Sequence, residues 1–256
     1  MTDKRVAIVT GAANGIGEAT AKLFAENGYA VAIIDIVDRV EQVATEIKSA
    51  RGECLFTKGD VSNEGHVKAF VDQVMSVYGR IDALINNAGI VVVKPLEDID
   101  WTDFRRVVEV NLGGVFLFCK HVLPVMKKQS GGAVVNMGSV SGHVGQIDHA
   151  VYGATKGAII AFTRAVAWEV AKHNIRVNSI SPGSVDTPML RSDIELESKR
   201  TGIPYDRVKE EREAEQAFNR WADPREIAEA IYFLASNKAS FITGTDLLVD
   251  CGWVAK

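Results

Sequence analysis

The stretch Val6-Ala7-Ile8-Val9-Thr10-Gly11-Ala12-Ala13-Asn14-Gly15-Ile16-Gly17 decides how the rest of this chain is read. Four apolar residues run unbroken into Thr10-Gly11, the pattern of a strand buried on both faces. Gly11, Gly15 and Gly17 permit a tight turn and a close backbone approach to phosphate. A helical pattern over 16–27 follows, with Gly28 as its stop, so the turn opens onto a helix N-terminus that favours an anion. The spacing is G-x-x-x-G-x-G, not G-x-G-x-x-G, and an isolated match fits an ordinary strand–helix turn equally well. Its surroundings argue for a dinucleotide. A second strand, 30–34, ends in Asp35, where a carboxylate can accept from the adenosine ribose hydroxyls and would repel a ribose phosphate. Neither Asn14 nor Ile36 offsets that charge, so NAD is expected over NADP.

Outward from this point, strand and helix patterns alternate. Helix 40–50 leads to strand 55–57 and Asp60-Val61; helix 64–78 leads to strand 83–85 and Asn86-Asn87-Ala88-Gly89. One long helix over 101–128, strand 133–137, helix 151–172 and strand 175–180 follow, the last ending at Ser181-Pro182-Gly183. A charged stretch, 191–220, reads as helical and on the surface, before helix 225–235 and strand 246–249. This order predicts an α/β fold, a Rossmann-like doubly wound parallel sheet of about seven strands with helices on both faces. It is expected to be a single domain over 1–256, with a substrate-loop or lid insertion near 188–222.

With 47% hydrophobic residues, 256 residues can bury one large core. A net charge of −4 with mixed signs favours neither nucleic acid nor an anionic membrane. No uninterrupted apolar run approaches the ~20 residues of a bilayer span. Met1 to Arg5 lacks a signal-peptide layout. Cys54, Cys119 and Cys251 fit no metal-ligand spacing, so no metal is expected and a reducing cytoplasm is the default.

The second deciding set is Ser139, Tyr152 and Lys156. Tyr152 and Lys156 are four apart, so on a helix they share a face. A free phenol, with pKa ~10, is a poor base near neutral pH. The neighbouring ammonium and a positive nicotinamide ring would lower that value, letting Tyr152 take the proton of an alcohol as hydride leaves. Ser139 would hydrogen-bond the substrate oxygen, with Ser141 as a rival, and Lys156 can reach the nicotinamide ribose. A Tyr-x-x-x-Lys pair alone fits a solvated helix face as well.

Together these residues resemble the short-chain dehydrogenase/reductase family in its compact single-domain form, over essentially the whole chain. The loop from Thr10 to Gly17 is similar to its T-G-x-x-x-G-x-G, and Asn86 to Gly89 to its N-N-A-G. The resemblance implies adenine contacts at Asp60-Val61 and a cofactor-lining role for Asn87, Ala88 and Gly89. It also implies nicotinamide contacts along Pro182, Gly183, Val185 and Thr187. Asn111 matches a catalytic asparagine that helps hold a water in a proton relay with the lysine. Ser139, Tyr152 and Lys156 match the S–Y-x-x-x-K set. A homotetramer, or a homodimer, is the implied assembly. Gly113-Gly114 would let the long helix approach a partner subunit, or serve packing inside one subunit.

The implied reaction is NAD-dependent hydride transfer to or from a small secondary alcohol or ketone, such as a polyol, sugar or hydroxy-ketone. A 3-oxoacyl ketoreductase and a non-catalytic nucleotide sensor are the alternatives; Asn14 and Asp35 argue against the first, Tyr152 and Lys156 against the second. An enoyl reductase would space tyrosine and lysine more widely. For the substrate pocket, Val91, Val92, Ile147 and Met189 suggest an apolar wall. Ser141, His143, Gln146 and His149 suggest polar contacts, with Gln146 or His149 meeting a second polar group of the substrate. Trp253 reads as a core or interface aromatic, or as part of a neighbouring subunit's pocket.

Overall fold

The apolar runs become strands. In the computed structural model, which describes residues 4–256, these are β1 (Val6–Thr10), β2 (Ala30–Asp35), β3 (Glu53–Lys58), β4 (Ala83–Asn86), β5 (Gly132–Met137), β6 (Ile175–Pro182) and β7 (Asp246–Val249). All are parallel, in the order β3-β2-β1-β4-β5-β6-β7. The unbroken apolar sequence of β1 follows from having two cores to serve. Val6 and Ile8 enter the core on one face, Ala7 and Val9 the core on the other. Burial of a valine or isoleucine side chain contributes roughly 1.5–3 kcal/mol.

The connecting helices are α1 (Gly15–Glu26), α2 (Arg39–Ser49), α3 (Glu64–Tyr78), α4 (Trp101–Val108), α5 (Gly114–Gln129), α6 (Ala150–Val170), α7 (Pro188–Thr201), α8 (Tyr205–Ala214) and α9 (Pro224–Ala235). Phe24 of α1, Val43 of α2 and Ile231 of α9 fill one core; Phe70 of α3, Phe118 of α5 and Ile159 of α6 fill the other. Because β1 pairs with β2 on one side and β4 on the other, the winding reverses at β1–β4. A reversal of this kind leaves a crevice beyond the carboxyl ends of the strands.

Three expectations are corrected. The expected single helix over 101–128 is broken: α4 ends at Val108, a wide π-type turn spans Glu109–Gly113, and α5 resumes at Gly114. The extra residue in that turn carries Asn111, whose side chain is fully buried. Gly114 serves packing inside the subunit, since a Cβ there would lie 3.0 Å from Val61 Cγ2. Second, the stretch 101–129 is long and apolar enough, by length and composition, to cross a membrane, although no uninterrupted apolar run reaches that length. Its Val115, Phe118, Val122 and Met126 are instead buried against the sheet. Third, the charged segment is more than a solvated surface: Ile194 of α7 and Val208 of α8 are fully buried.

The start of α1 is the tightest junction. A Cβ on Gly17 would lie 2.0 Å from the Gly11 carbonyl oxygen and 2.5 Å from Asn87 Nδ2. Both obstacles are held in place, so the helix can dock here only without a side chain. Gly17→Ala is expected to lower stability by about 3 kcal/mol or more, read as the midpoint of urea unfolding without nucleotide. An unchanged midpoint would show that the loop yields freely.

Candidate active site

The crevice is built by tying two strand ends together. The Thr10 hydroxyl accepts from the backbone N–H groups of Asn87 and Ala88, both at 3.0 Å. In return, the Asn87 side-chain amide donates to the carbonyls of Thr10 (3.0 Å) and Gly11 (2.9 Å). The loop so anchored passes through Gly11 at φ +62° and Gly15 at φ +53°, where a side chain would be strained. A Cβ on Gly15 would also strike Thr187 Cγ2 at 2.8 Å. Asn14 precedes α1 in an extended conformation, and its side chain makes no capping bond. The first-turn N–H groups of α1 are therefore left without a side-chain acceptor, as a phosphate site requires.

One cavity of about 720 Å³ runs from this loop to the reacting residues. Gly11, Asn14, Gly15, Ile16 and Asp35 line it at one end; Asp60, Val61, Asn87, Ala88 and Gly89 line its flank. Pro182, Gly183, Val185 and Thr187 line the other side, and Thr187 also caps α7 by accepting from Leu190 N. Gly17 is the exception among the expected cofactor residues. It stays behind the loop, where its lack of a side chain permits close packing.

Asp35 accepts from Ala13 N at 2.9 Å and Val37 N at 3.2 Å, so the turn itself orients the carboxylate. Sequence reading missed a cation nearby. Arg39 donates to the Ala13 carbonyl at 2.8 Å, but its guanidinium is held by Glu18 at 2.6 Å. The positive charge is thus neutralised beside the loop and lies outside the cavity wall. Free helix N–H groups, glycines at positive φ and an oriented carboxylate together fit a dinucleotide.

At the far end, Ser139 follows β5, while Tyr152 and Lys156 project from α6. Lys156 Nζ donates to the Met137 carbonyl at 2.8 Å and lies 5.4 Å from the centre of the Tyr152 ring. The Ser139 hydroxyl donates to Ser141 Oγ at 3.1 Å. Burial pushes the Lys156 ammonium down to about 8. Burial also pushes the Tyr152 phenol up to about 12; the Ser139 hydrogen bond opposes this and the Asp193 charge adds to it. The expected lowering of Tyr152 is therefore not a property of the protein alone. Desolvation dominates until positive charge arrives beside the phenol.

Asn111 does not line the cavity. Its side chain accepts from Ile90 N (2.8 Å) and donates to Ile90 O (2.9 Å) and Thr155 Oγ1 (3.1 Å), joining the π-type turn to α6.

Ser141, Gln146 and His149, the residues expected to meet substrate, line the same cavity, and the Ser141 hydroxyl donates to Gln146 Oε1. Val91 and Met189 also line it. Three expected pocket residues do not. His143 turns away to Asp246 at 2.7 Å, Ile147 is 87% exposed because its side chain points out of the loop, and Val92 is outside the wall. Trp253 is buried and lines the cavity of its own chain. Leu190, Asp193 and Arg212, from the substrate-loop segment expected near 188–222, also line it, though none was singled out. In a run of interspersed charges nothing marks the two that turn inward.

Cys54 and Cys119 are buried, with their thiols pushed up to about 12 by that burial. Among the described residues, no cluster of three or more His, Cys, Asp or Glu could hold a metal ion.

A family model described as enoyl-(acyl carrier protein) reductase matches residues 11–254. The chain is 42% identical to a cis-4-hydroxycyclohexanecarboxylate dehydrogenase from Sinomonas cyclohexanicum, covering 98% of this chain and 97% of the relative. It is 36% identical to a cyclopentanol dehydrogenase of a Comamonas species, with coverage of 98% and 97%. Among solved structures, levodione reductase superposes with a TM-score of 0.93 at 34% identity, covering 98% of each chain. ElxO with NADP bound gives a TM-score of 0.89 at 30% identity, covering 99% and 100%.

Burial of Lys156 has a cost that can be read. With its pKa moved from 10.5 to about 8, the folded state is penalised fully below pH 8, and the penalty fades as pH rises through 10.5. Lys156→Met is therefore expected to raise thermal stability at pH 7 by up to about 3 kcal/mol, with the gain vanishing at strongly alkaline pH. A destabilised variant at pH 7 would contradict a buried ammonium.

Proposed function

Because the chain belongs to the short-chain dehydrogenase/reductase family, and is thus an oxidoreductase of secondary alcohols and ketones with a nicotinamide cofactor, we propose that it uses NAD and acts on a small cyclic secondary alcohol. The observation that carries this reading is the single cavity, with oriented Asp35 at one end and Ser139, Tyr152 and Lys156 at the other. The two ring-alcohol dehydrogenases among its relatives support the substrate class.

The ribose hydroxyls of the adenosine half would donate to Asp35, and the pyrophosphate would take the open N-terminus of α1. NAD, when bound, accepts hydride from the carbinol carbon. Ser139 holds the substrate oxygen, and Tyr152 removes its proton during oxidation or returns it during reduction. Lys156 keeps positive charge beside the phenol, favouring phenolate and opposing the effect of burial. Asn111 has its side chain engaged by Ile90 and Thr155, so its part in any proton relay falls to its main chain, while its side chain positions α6. The helices α7 and α8 act as a lid whose inner face completes the pocket.

The working form is a cytoplasmic homotetramer or homodimer. Free cysteines support a reducing compartment, and exposed Phe116 on α5 and Trp168 on α6 support assembly through those faces.

Wild type, Tyr152→Phe and Asp35→Ser, each supplied with cyclopentanol, cyclohexanol and either nicotinamide, test the reading by nicotinamide reduction. Tyr152→Phe should lower kcat/KM by about 10²–10⁴ while NAD still binds, since proton transfer by a positioned side chain contributes that much. Asp35→Ser should cut the preference for NAD over NADP by roughly tenfold or more, as a like charge no longer faces the phosphate. Wild-type preference for NADP, or undiminished turnover by Tyr152→Phe, would refute it.

A further inference from the structure

Beyond Tyr152, the cavity wall holds a polar cluster that the reaction leaves unused. Asp193 from α7 and Arg212 from α8 both line it. Asp193 is 7% exposed, and its Oδ2 lies 3.5 Å from His149 Nε2 and 3.9 Å from the Arg212 guanidinium. Its Oδ1 is buried and accepts no hydrogen bond. A carboxylate oxygen in that state costs free energy until a donor reaches it.

The groups around Asp193 are already engaged. Arg212 donates to Glu197 at 2.7 Å and lies 4.0 Å from Glu215, whose carboxyl is pushed up by burial. One guanidinium and one imidazole thus face three carboxyl groups. The His149 Nδ1 lies 2.7 Å from the Ile147 carbonyl, so that nitrogen carries a proton and donates. Within this cluster Arg212 is committed to carboxylates, so the unmet need at Asp193 is for a donor; Arg105 and Arg106 of α4 also line the cavity, outside this cluster.

We propose that Asp193 is a specificity-determining residue that accepts a hydrogen bond from a second hydroxyl of the substrate, so that this pocket selects an uncharged ring diol or hydroxy-ketone over a ring carboxylate. The proposal rests on the ring-alcohol reading above and narrows it. It also separates this chain from its relative that acts on a hydroxycyclohexanecarboxylate. Asp193 Oδ1 is closed off from the open cavity, so presenting it to the ring takes a turn of the Asp193 side chain as substrate enters.

The test compares cyclohexanol, cyclohexane-1,4-diol and cis-4-hydroxycyclohexanecarboxylate in wild type and Asp193→Asn. Two readouts are taken: kcat/KM with NAD, and equilibrium binding to the protein loaded with reduced cofactor. Within each protein the ratio to cyclohexanol is read, because Asp193 also acts on Tyr152 and its replacement alters every rate. In wild type the diol should exceed cyclohexanol, and cyclohexanol the carboxylate, each by about tenfold or more, the worth of one hydrogen bond to a charged group. Asp193→Asn should collapse both ratios toward unity. A wild-type preference for the carboxylate, which needs no variant to detect, would overturn the proposal. So would a diol ratio that survives in Asp193→Asn. Binding ratios as expected without turnover of any ring alcohol would refute the dehydrogenase reading and leave this subsite standing. Turnover of all three without the ratios would do the reverse.

Discussion

Everything functional in this molecule depends on the exchange of hydrogen bonds between Thr10 and the turn at Asn87. The two strands β1 and β4 are neighbours where the sheet reverses its winding, and their ends would otherwise be free loops. The Thr10 hydroxyl takes two amide protons from the Asn87 turn, and the Asn87 side chain returns two bonds to the Thr10–Gly11 backbone. That exchange fixes where the Gly11 turn begins, and so where α1 points its N–H groups. It also sets Gly89 beside Lys156, whose Nζ would lie 3.7 Å from a Cβ added there. The phosphate end and the reacting end of the cavity are thereby held to one frame.

The reacting end is built against the preferences of its own side chains. Burial drives Lys156 toward the neutral amine and Tyr152 toward the neutral phenol, opposite to the charge states that the proposed proton abstraction would use. The fold maintains this arrangement through the long apolar helix α6 and the buried link from Asn111 to Thr155, which sets α6 against the π-type turn. A site held this way responds strongly to one added positive charge. It also makes the protein less stable where it works, a common property of active sites.

Much of this was legible in the sequence for physical reasons. Strands buried on both faces must be apolar throughout, and a backbone that approaches phosphate needs glycine, so β1, β2 and the loop at Gly11 declare themselves. Tyr152 and Lys156 share a face because helical periodicity is rigid. The π-type turn at Glu109–Gly113 was illegible, since one inserted residue leaves the apolar pattern on either side intact. Arg39 and Asp193 were illegible because a charge in a polar run carries no mark of the direction it faces. His143 and His149, six residues apart in one loop, went opposite ways: one to Asp246 at the edge of the sheet, the other beneath α7. Only the path of the loop decides between them.

The central claim is that burial moves the Tyr152 phenol still further from ionisation and that cofactor charge, joining Lys156, turns it into a base. The most direct measurement is the ultraviolet difference titration of wild type against Tyr152→Phe, with and without saturating NAD. Without NAD the phenol should titrate near 12. With NAD bound it should ionise well below ~10, the value of a free phenol. A titration that stays near 12 in both states would contradict the account.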